Sequence, residues 1–211
     1  MSLKLGLTMR SCDAVDYVEP RQGLALDWID FMRKAFPEAV WTAIPSLGKE
    51  TVRHVKGFGI NGLILTGGEN FGENPARDET EFELIRFCLE NGYPVLGVCR
   101  GMQVLNIYFG GRISSVAKEK HVATKHTIFL KREIYGATKA KVNSFHGNGI
   151  KENDLAPNLS PIAVDDDENI EAFFQLENKI LGLMWHPERT FEPSPIDYEL
   201  IHLVFGKGGH E

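Results

Sequence analysis

Residues 94–111, PVLGVCRGMQVLNIYFGG, join an apolar run to a helical pattern through a cysteine set between two glycines. Tyr93 to Val98 has no polar position on either face, the mark of a central parallel strand covered on both sides by helices. From Arg100 to about Phe109 apolar residues recur at helical spacing, so the strand passes directly into a helix. The turn between them has the layout G-x-C-x-G, the thiol counterpart of an elbow that lifts a nucleophile off the end of a strand. Such a turn strains its central residue and draws chain segments together, and Gly97 and Gly101 leave the room that side chains would fill. The helix that follows aims its free amides at Cys99, favouring negative charge there and offering donors to an oxyanion.

Outward from this stretch, strand-like runs alternate with helical ones. Leu3–Thr8, Val40–Ile44 and Gly62–Thr66 read as strands. Between them lie a helix over 23–36, with Leu24, Trp28, Phe31 and Met32 on one face, and a helix over 46–58 with Ser46 as the expected N-cap. A third helix is expected over 78–90, stopped by Asn91 and Gly92 before Pro94. This alternation predicts an α/β fold with a mostly parallel central sheet. After Gly111 strands dominate: 124–130, 139–145, 160–165, 169–176 and 179–186, the last two a hairpin around 177–179. They predict an antiparallel region added at one edge of the sheet or forming a small second sheet. Ser194 and Pro195 open a final helix. Without an internal repeat or a linker, residues 1–211 are expected to form one domain.

Composition narrows the function. The 211 residues are 43% hydrophobic and carry a formal net charge of −6 without a long basic stripe, which argues against a nucleic-acid partner. The longest apolar runs are too short for a bilayer, and no charged-then-hydrophobic segment opens the chain, so a cytoplasmic protein without a membrane partner is expected. Cys12, Cys88 and Cys99 are odd in number and widely spaced, which suits neither a disulfide framework nor a zinc site. Cys88 falls on an apolar helical face and reads as core, and Cys12 lies in a polar loop.

A thiol nucleophile needs a base, and the base an orienting group. His186 ends an apolar strand, and Glu188, two residues on and past Pro187, can turn back to one imidazole nitrogen while the other faces the thiol. Gly67 and Gly68 end the strand in LILTGGEN, where a backbone amide can approach a substrate, and the Arg100 amide offers a second donor. His121, His126, His146 and His186 show no i, i+4 pairing and no acidic partner at a ligand spacing, so no metal is expected and no organic cofactor is required. His126 and His146 read as structure or pocket rim. Arg10 and Arg21 flank the loop after the first strand, where one of them is expected to meet an anionic group.

Four segments, ILTGGE (64–69), PVLGVCRGMQVLN (94–106), VNSFHG (142–147) and WHPE (185–188), occur in this order in a chain that resembles the class I glutamine amidotransferase-like family over roughly residues 3–205. Within it the likeness is to the peptidase C26, γ-glutamyl hydrolase branch. The resemblance implies a flavodoxin-like three-layer sandwich and a triad of Cys99, His186 and Glu188. It also implies an oxyanion hole from the Gly68 and Arg100 amides, and a γ-glutamyl pocket including Gln103, Ser144 and Phe145. The chain is similar to hydrolases of γ-glutamyl-γ-aminobutyrate and, through residues 9–28, of γ-glutamyl-CDP-amidate. Gly147 stands where many relatives carry a second histidine, which leaves the leaving amine open. The expected reaction is hydrolysis of a small-molecule γ-glutamyl amide through a cysteine thioester, releasing glutamate. The alternative is a glutaminase subunit that delivers ammonia to a partner synthetase; the lack of a synthetase domain in 211 residues favours the first. A non-catalytic relative is disfavoured because all three triad residues are present. The sequence does not set the oligomeric state.

Overall fold

The computed structural model describes residues 2–206. Nine strands make one sheet: β1 Lys4–Thr8, β2 Val40–Ile44, β3 Gly62–Leu65, β4 Val95–Val98, β5 Val122–Ile134, β6 Ala137–Phe145, β7 Ser160–Asp165, β8 Ile170–Gln175 and β9 Ile180–Leu183. Their order is β2-β1-β3-β4-β9-β8-β7-β5-β6. The first five are parallel neighbours and the remaining pairs are antiparallel. The strand patterns after Gly111 therefore extend the same sheet rather than build a second one. The parallel half has the 2-1-3-4 opening of flavodoxin-like folds, which bind ligands outside the carboxyl ends of their strands.

Helices α1 Asp27–Ala35, α2 Thr51–Phe58, α3 Pro75–Asn91, α4 Arg100–Tyr108 and α5 Pro195–Phe205 cover the sheet. Strand side chains alternate between its two faces, although the runs are wholly apolar. Leu5, Leu7, Ile64, Leu96 and Val98 pack with Trp28, Phe31 and Met32 of α1 and Leu200, Ile201 and Val204 of α5. Leu63, Leu65 and Val95 pack instead with Val55 of α2, Leu84, Ile85 and Cys88 of α3, and Met102 and Leu105 of α4. Three layers result, with apolar surface removed from water on both sheet faces. Among the described residues no helix is long and apolar enough to cross a membrane.

Three helix starts differ from the sequence reading, each for a local reason. Gln22 and Gly23 pair with Ser11 and Arg10 in a two-residue ladder, so α1 begins only at Asp27 and leaves Leu24 outside. Ser46 caps nothing. Its amide donates to Gln22 Oε1 at 2.7 Å, and Gly48 at φ 54 separates it from α2. α3 begins at Pro75 rather than Asp78, because the Asn74 side chain accepts from the Arg77 amide at 3.1 Å and proline suits the first helical position. The Gly92 stop and the Ser194 cap are as expected, the latter as a reciprocal capping box with Asp197.

Two contacts make the elbow possible. A Cβ on Gly101 would lie 2.1 Å from the Leu65 carbonyl oxygen, and one on Gly97 would lie 2.5 Å from the Gly101 backbone. Only glycines let the first turn of α4 sit this close to β3 and β4. Gly101→Ala is expected to cost about 3 kcal/mol, the upper end of ordinary over-packing. Gly57→Ala in α2, where a Cβ meets nothing within 4 Å, should stabilise by about 0.5–1 kcal/mol. In urea unfolding followed by circular dichroism, the midpoint should fall for the first and rise for the second at an unchanged slope.

Candidate active site

Cys99 lies between β4 and α4 at φ 53 and ψ −105, backbone angles that a residue with a side chain rarely adopts. Both of its peptide groups are engaged: the amide donates to the Leu183 carbonyl at 2.8 Å, and the carbonyl accepts from the Gln103 amide at 3.1 Å. β4 and β9 run parallel with Leu183 opposite Val98. Cys99, one residue beyond β4, and His186, three beyond β9, therefore emerge together at the carboxyl edge of the sheet.

His186 Nδ1 lies 2.6 Å from Glu188 Oε1. A carboxylate can only accept here, so Nδ1 carries the proton and Nε2 is the free nitrogen. Among the described residues Nε2 makes no hydrogen bond, and the Cys99 thiol is near enough to act on the ring's charge. Burial pulls the imidazole pKa down, but the charges of Glu188 and Cys99 outweigh it and raise the pKa to about 9. Gly67 lies between the two groups: a Cβ there would be 3.0 Å from His186 Cε1 and 3.9 Å from Cys99 Cβ. Asn143 holds the His186 backbone from both sides, its Nδ2 donating to the carbonyl and its Oδ1 accepting from the amide, each at 2.8 Å. Asn143 opens the segment NSF, 143–145, but nothing in its spacing assigns it to the His186 backbone.

The Gly67–Gly68 turn is held from beneath by Arg77, which is fully buried. Its guanidinium donates to the carbonyls of Thr66 at 2.9 Å and Gly67 at 3.1 Å, and to Glu69 at 2.8 Å. Gly68 has φ 149, and a Cβ on it would lie 2.3 Å from Arg77 Nη1. Burial pushes the Glu69 pKa up, but the Arg77 charge together with hydrogen bonds and the Arg100 charge leaves it below the ordinary value. The Arg100 side chain points away into α3, where it pairs with Asp78 at 2.5 Å and with Glu81. What Arg100 offers the site is its backbone amide. Among the described residues neither that amide nor the Gly68 amide donates a hydrogen bond to the protein.

The remaining expected contacts divide. Phe145 borders the site, its ring edge-on to His186 at 5.6 Å with the Arg189 guanidinium 4.4 Å over its face. Gln103 is buried, and its Nε2 already donates to the Asn148 carbonyl at 3.1 Å. Ser144 is a correction: it has no exposed surface, and its hydroxyl donates to the His121 carbonyl at 2.7 Å, because strand alternation points it opposite to Phe145. Arg10 stands beside the glycine turn, its Cβ 3.0 Å from where a Gly68 Cβ would be, and among the described residues it forms no ion pair. Arg21, by contrast, is held by Glu19 at 2.5 Å and by the Tyr17 hydroxyl. At Gly147 a Cβ would meet only Lys118 Cε, at 3.6 Å. Cys88 is core, and burial pushes its thiol up to about 12. A second correction concerns His121, His126 and His146: the sheet gives them the acidic neighbours Asp165 and Glu171, which sequence spacing had not suggested.

Residues 19–188 match the model of the Peptidase C26 family. With the elbow cysteine and the paired His186 and Glu188 on this fold, the class is that of hydrolases acting on carbon–nitrogen bonds. The chain belongs to the Peptidase C26 family, within the class I glutamine amidotransferase-like group. It is 34% identical to gamma-glutamyl-CDP-amidate hydrolase of Campylobacter jejuni, over 88% of this chain and 90% of that one. It is 25% identical to a glutamine-hydrolyzing GMP synthase subunit of Pyrococcus abyssi, over 71% and 81% of the two chains. In fold it is similar to a glutamine amidotransferase of Thermotoga maritima, with a TM-score of 0.64, 15% identity, and 89% and 77% of the chains covered.

The raised imidazole pKa has a measurable consequence. The folded value of about 9 lies above the ordinary 6.5, so the stability this group contributes is complete below about 6.5 and is lost as pH rises through about 9. Histidine NMR titration should place His186 near 9 in the wild type and lower in Glu188→Gln. The melting temperature should fall across this alkaline window more steeply in the wild type than in that variant.

Proposed function

We propose that the protein hydrolyses a γ-glutamyl amide through a glutamyl thioester on Cys99. The Cys99 thiolate adds to the γ-carbonyl carbon, and the carbonyl electron pair moves onto oxygen, which the Gly68 and Arg100 amides receive. Nε2 of His186 has by then taken the thiol proton of Cys99, and as the carbon–nitrogen bond breaks that proton goes to the departing amine. His186, now neutral, takes a proton from water, the hydroxide adds to the thioester, and collapse expels the thiolate and leaves glutamate. Glu188 holds the ring in one tautomer and stabilises the imidazolium, and Asn143 fixes the backbone that carries it. The carrying observation is the short His186–Glu188 contact beside a cysteine held in left-handed geometry. No step requires a cofactor.

Likeness to a γ-glutamyl-CDP-amidate hydrolase supports an anionic leaving half. Arg10, unpaired beside Gly68, is the cation we assign to an anionic group of the substrate. Glutamine as substrate, with ammonia passed to a synthetase, is the second reading, favoured by the likeness to a component of a GMP synthase.

Purified protein assayed against glutamine, γ-glutamyl amines and nucleotide-linked γ-glutamyl amidates separates the two readings. Turnover without a partner supports the hydrolase, whereas glutamine cleavage that appears only with an added synthetase supports the second. Cys99→Ala should lower kcat by about 10⁴-fold or more, and activity retained in that variant would overturn the mechanism. Arg10→Ala should raise KM for an anionic substrate by about 10–100-fold, the scale of a lost charge-assisted hydrogen bond, and Arg21→Ala should change it little.

A further inference from the structure

Three histidines and two carboxylates that the proposed reaction does not use meet beneath the antiparallel half of the sheet. His121 ends the single helical turn Lys118–His121, His126 lies on β5, and His146 follows β6. Asp165 ends β7 and Glu171 lies on β8. One ligand atom from each of His121, His126, Asp165 and Glu171 falls within 4.8 Å of all the others. The close pairs are His126 Nε2 to Glu171 Oε2 at 3.2 Å and His121 Nε2 to Asp165 Oδ2 at 3.5 Å.

Charge in this cluster is unbalanced. Glu171 is fully buried, and among the described residues neither it nor Asp165 pairs with a lysine or arginine. The nearby Lys120 is taken by Asp167 at 2.7 Å. Asp165 at least accepts from the amides of Asp167 and Asn169 and from the Asn169 side chain. Among the described residues the Glu171 side chain meets only His126 and His146, and a buried carboxylate without a fixed positive charge beside it is costly.

Hydrogen bonding is unbalanced too. Among the described residues both ring nitrogens of His121, Nδ1 of His126, Nε2 of His146 and Oε1 of Glu171 are buried without a hydrogen-bond partner. Such atoms are rare in folded proteins, and this many in one cluster points to a ligand from outside the chain. His146 sharpens the point. Its Nδ1 lies 2.9 Å from the Asn148 carbonyl, which can only accept, so Nδ1 holds the proton. The other ring nitrogen, Nε2, lies 3.5 Å from Glu171 Oε1.

We propose that His121, His126, Asp165 and Glu171 bind one divalent first-row transition ion of the zinc type, with His146 held behind Glu171 as its outer partner. A tetrahedral ion with bonds of about 2.0–2.1 Å separates its ligand atoms by about 3.3–3.4 Å; the two close pairs are near that value, and the wider separations, up to 4.8 Å, would contract on binding. Two imidazoles and two carboxylates without a thiolate suit zinc, cobalt or nickel better than copper(I), and better than the all-oxygen shells of calcium and magnesium. A cavity of about 460 Å³, lined by His121, His126, Asp165, Thr124 and Lys141, opens onto the cluster and supplies an entry path. Four protein ligands would leave a tetrahedral ion no open position, which makes the role structural. The bound ion would brace the segment whose Asn148 carbonyl receives both His146 and Gln103 Nε2.

The test uses the full chain without a histidine tag, carrying Cys99→Ala so that the thiol site cannot compete. After chelation and dialysis the protein is titrated with CoCl₂ and then with ZnCl₂. One equivalent of Co²⁺ with the intense visible bands of a four-coordinate ion, displaced by Zn²⁺, is expected, with saturating Zn²⁺ raising Tm by more than about 4 °C. His121→Gln removes a ligand that makes no side-chain hydrogen bond in the protein, and should weaken Co²⁺ binding at least about tenfold at an unchanged Tm of the metal-free chain. His54→Gln, on α2, should leave binding unchanged. Failure to take up Co²⁺, uptake undiminished in both His121→Gln and His126→Gln, or thiolate-to-cobalt charge-transfer absorption would each overturn the proposal. The first of these would leave a cluster that is compensated by protons alone.

Discussion

One hydrogen bond organises the site: the Cys99 amide donates to the Leu183 carbonyl at the place where β4 and β9 run side by side. Parallel pairing in the register Leu183 opposite Val98 brings two distant segments to the same edge at the same height. The cysteine leaves β4 one residue later and the histidine leaves β9 three residues later. A register slip of one residue would turn His186 to the other face of the sheet. The strained angles at Cys99 persist because neighbours on all sides over-determine them: the Leu183 carbonyl, the first turn of α4, and the Leu65 carbonyl pressed against Gly101.

Beneath the edge lies a second constraint, made of buried charge. Arg77 and Arg100 share Glu81, and the pair is completed by Glu69 and Asp78. Each charge has a partner, so the cluster avoids the large cost of an isolated buried ion. Its geometry matters more than its net energy. Arg77 pins the Thr66 and Gly67 carbonyls, while Arg100 ties α4 to α3, so two arginines hold the two backbone segments that carry the Gly68 and Arg100 amides. The His186–Glu188 pair repeats this logic on the other side of the cysteine, and there Asn143 does for the backbone what Arg77 does for the glycine turn.

Much of this was legible in residue types and spacing. The apolar run 93–98 announced a covered parallel strand, Gly97 and Gly101 announced the close approach behind Cys99, and the short H-P-E spacing announced an imidazole held by a carboxylate. The errors were local contests that spacing cannot judge. Ser46 had the chemistry of a cap, but Gly48 took the chain out of the helix and Gln22 took its amide. The resemblance groups Ser144 with Phe145 as pocket residues, although a period of two sends neighbours to opposite faces and only Phe145 borders the imidazole.

Residue types and their spacing alone define what each segment is: strand, helix, elbow, and the side chains able to act as nucleophile, base and orienting acid. These follow from short-range rules, hydrophobic period and backbone sterics, that operate within about ten residues. Which segments meet was decided only by the tertiary structure. The adjacency of β4 and β9, the grip of Asn143 on His186, and the meeting of His121, His126, Asp165 and Glu171 all join residues far apart in the chain. Sheet order and register set those encounters, because hydrogen bonding between strands is indifferent to sequence distance while burial of both faces admits one register.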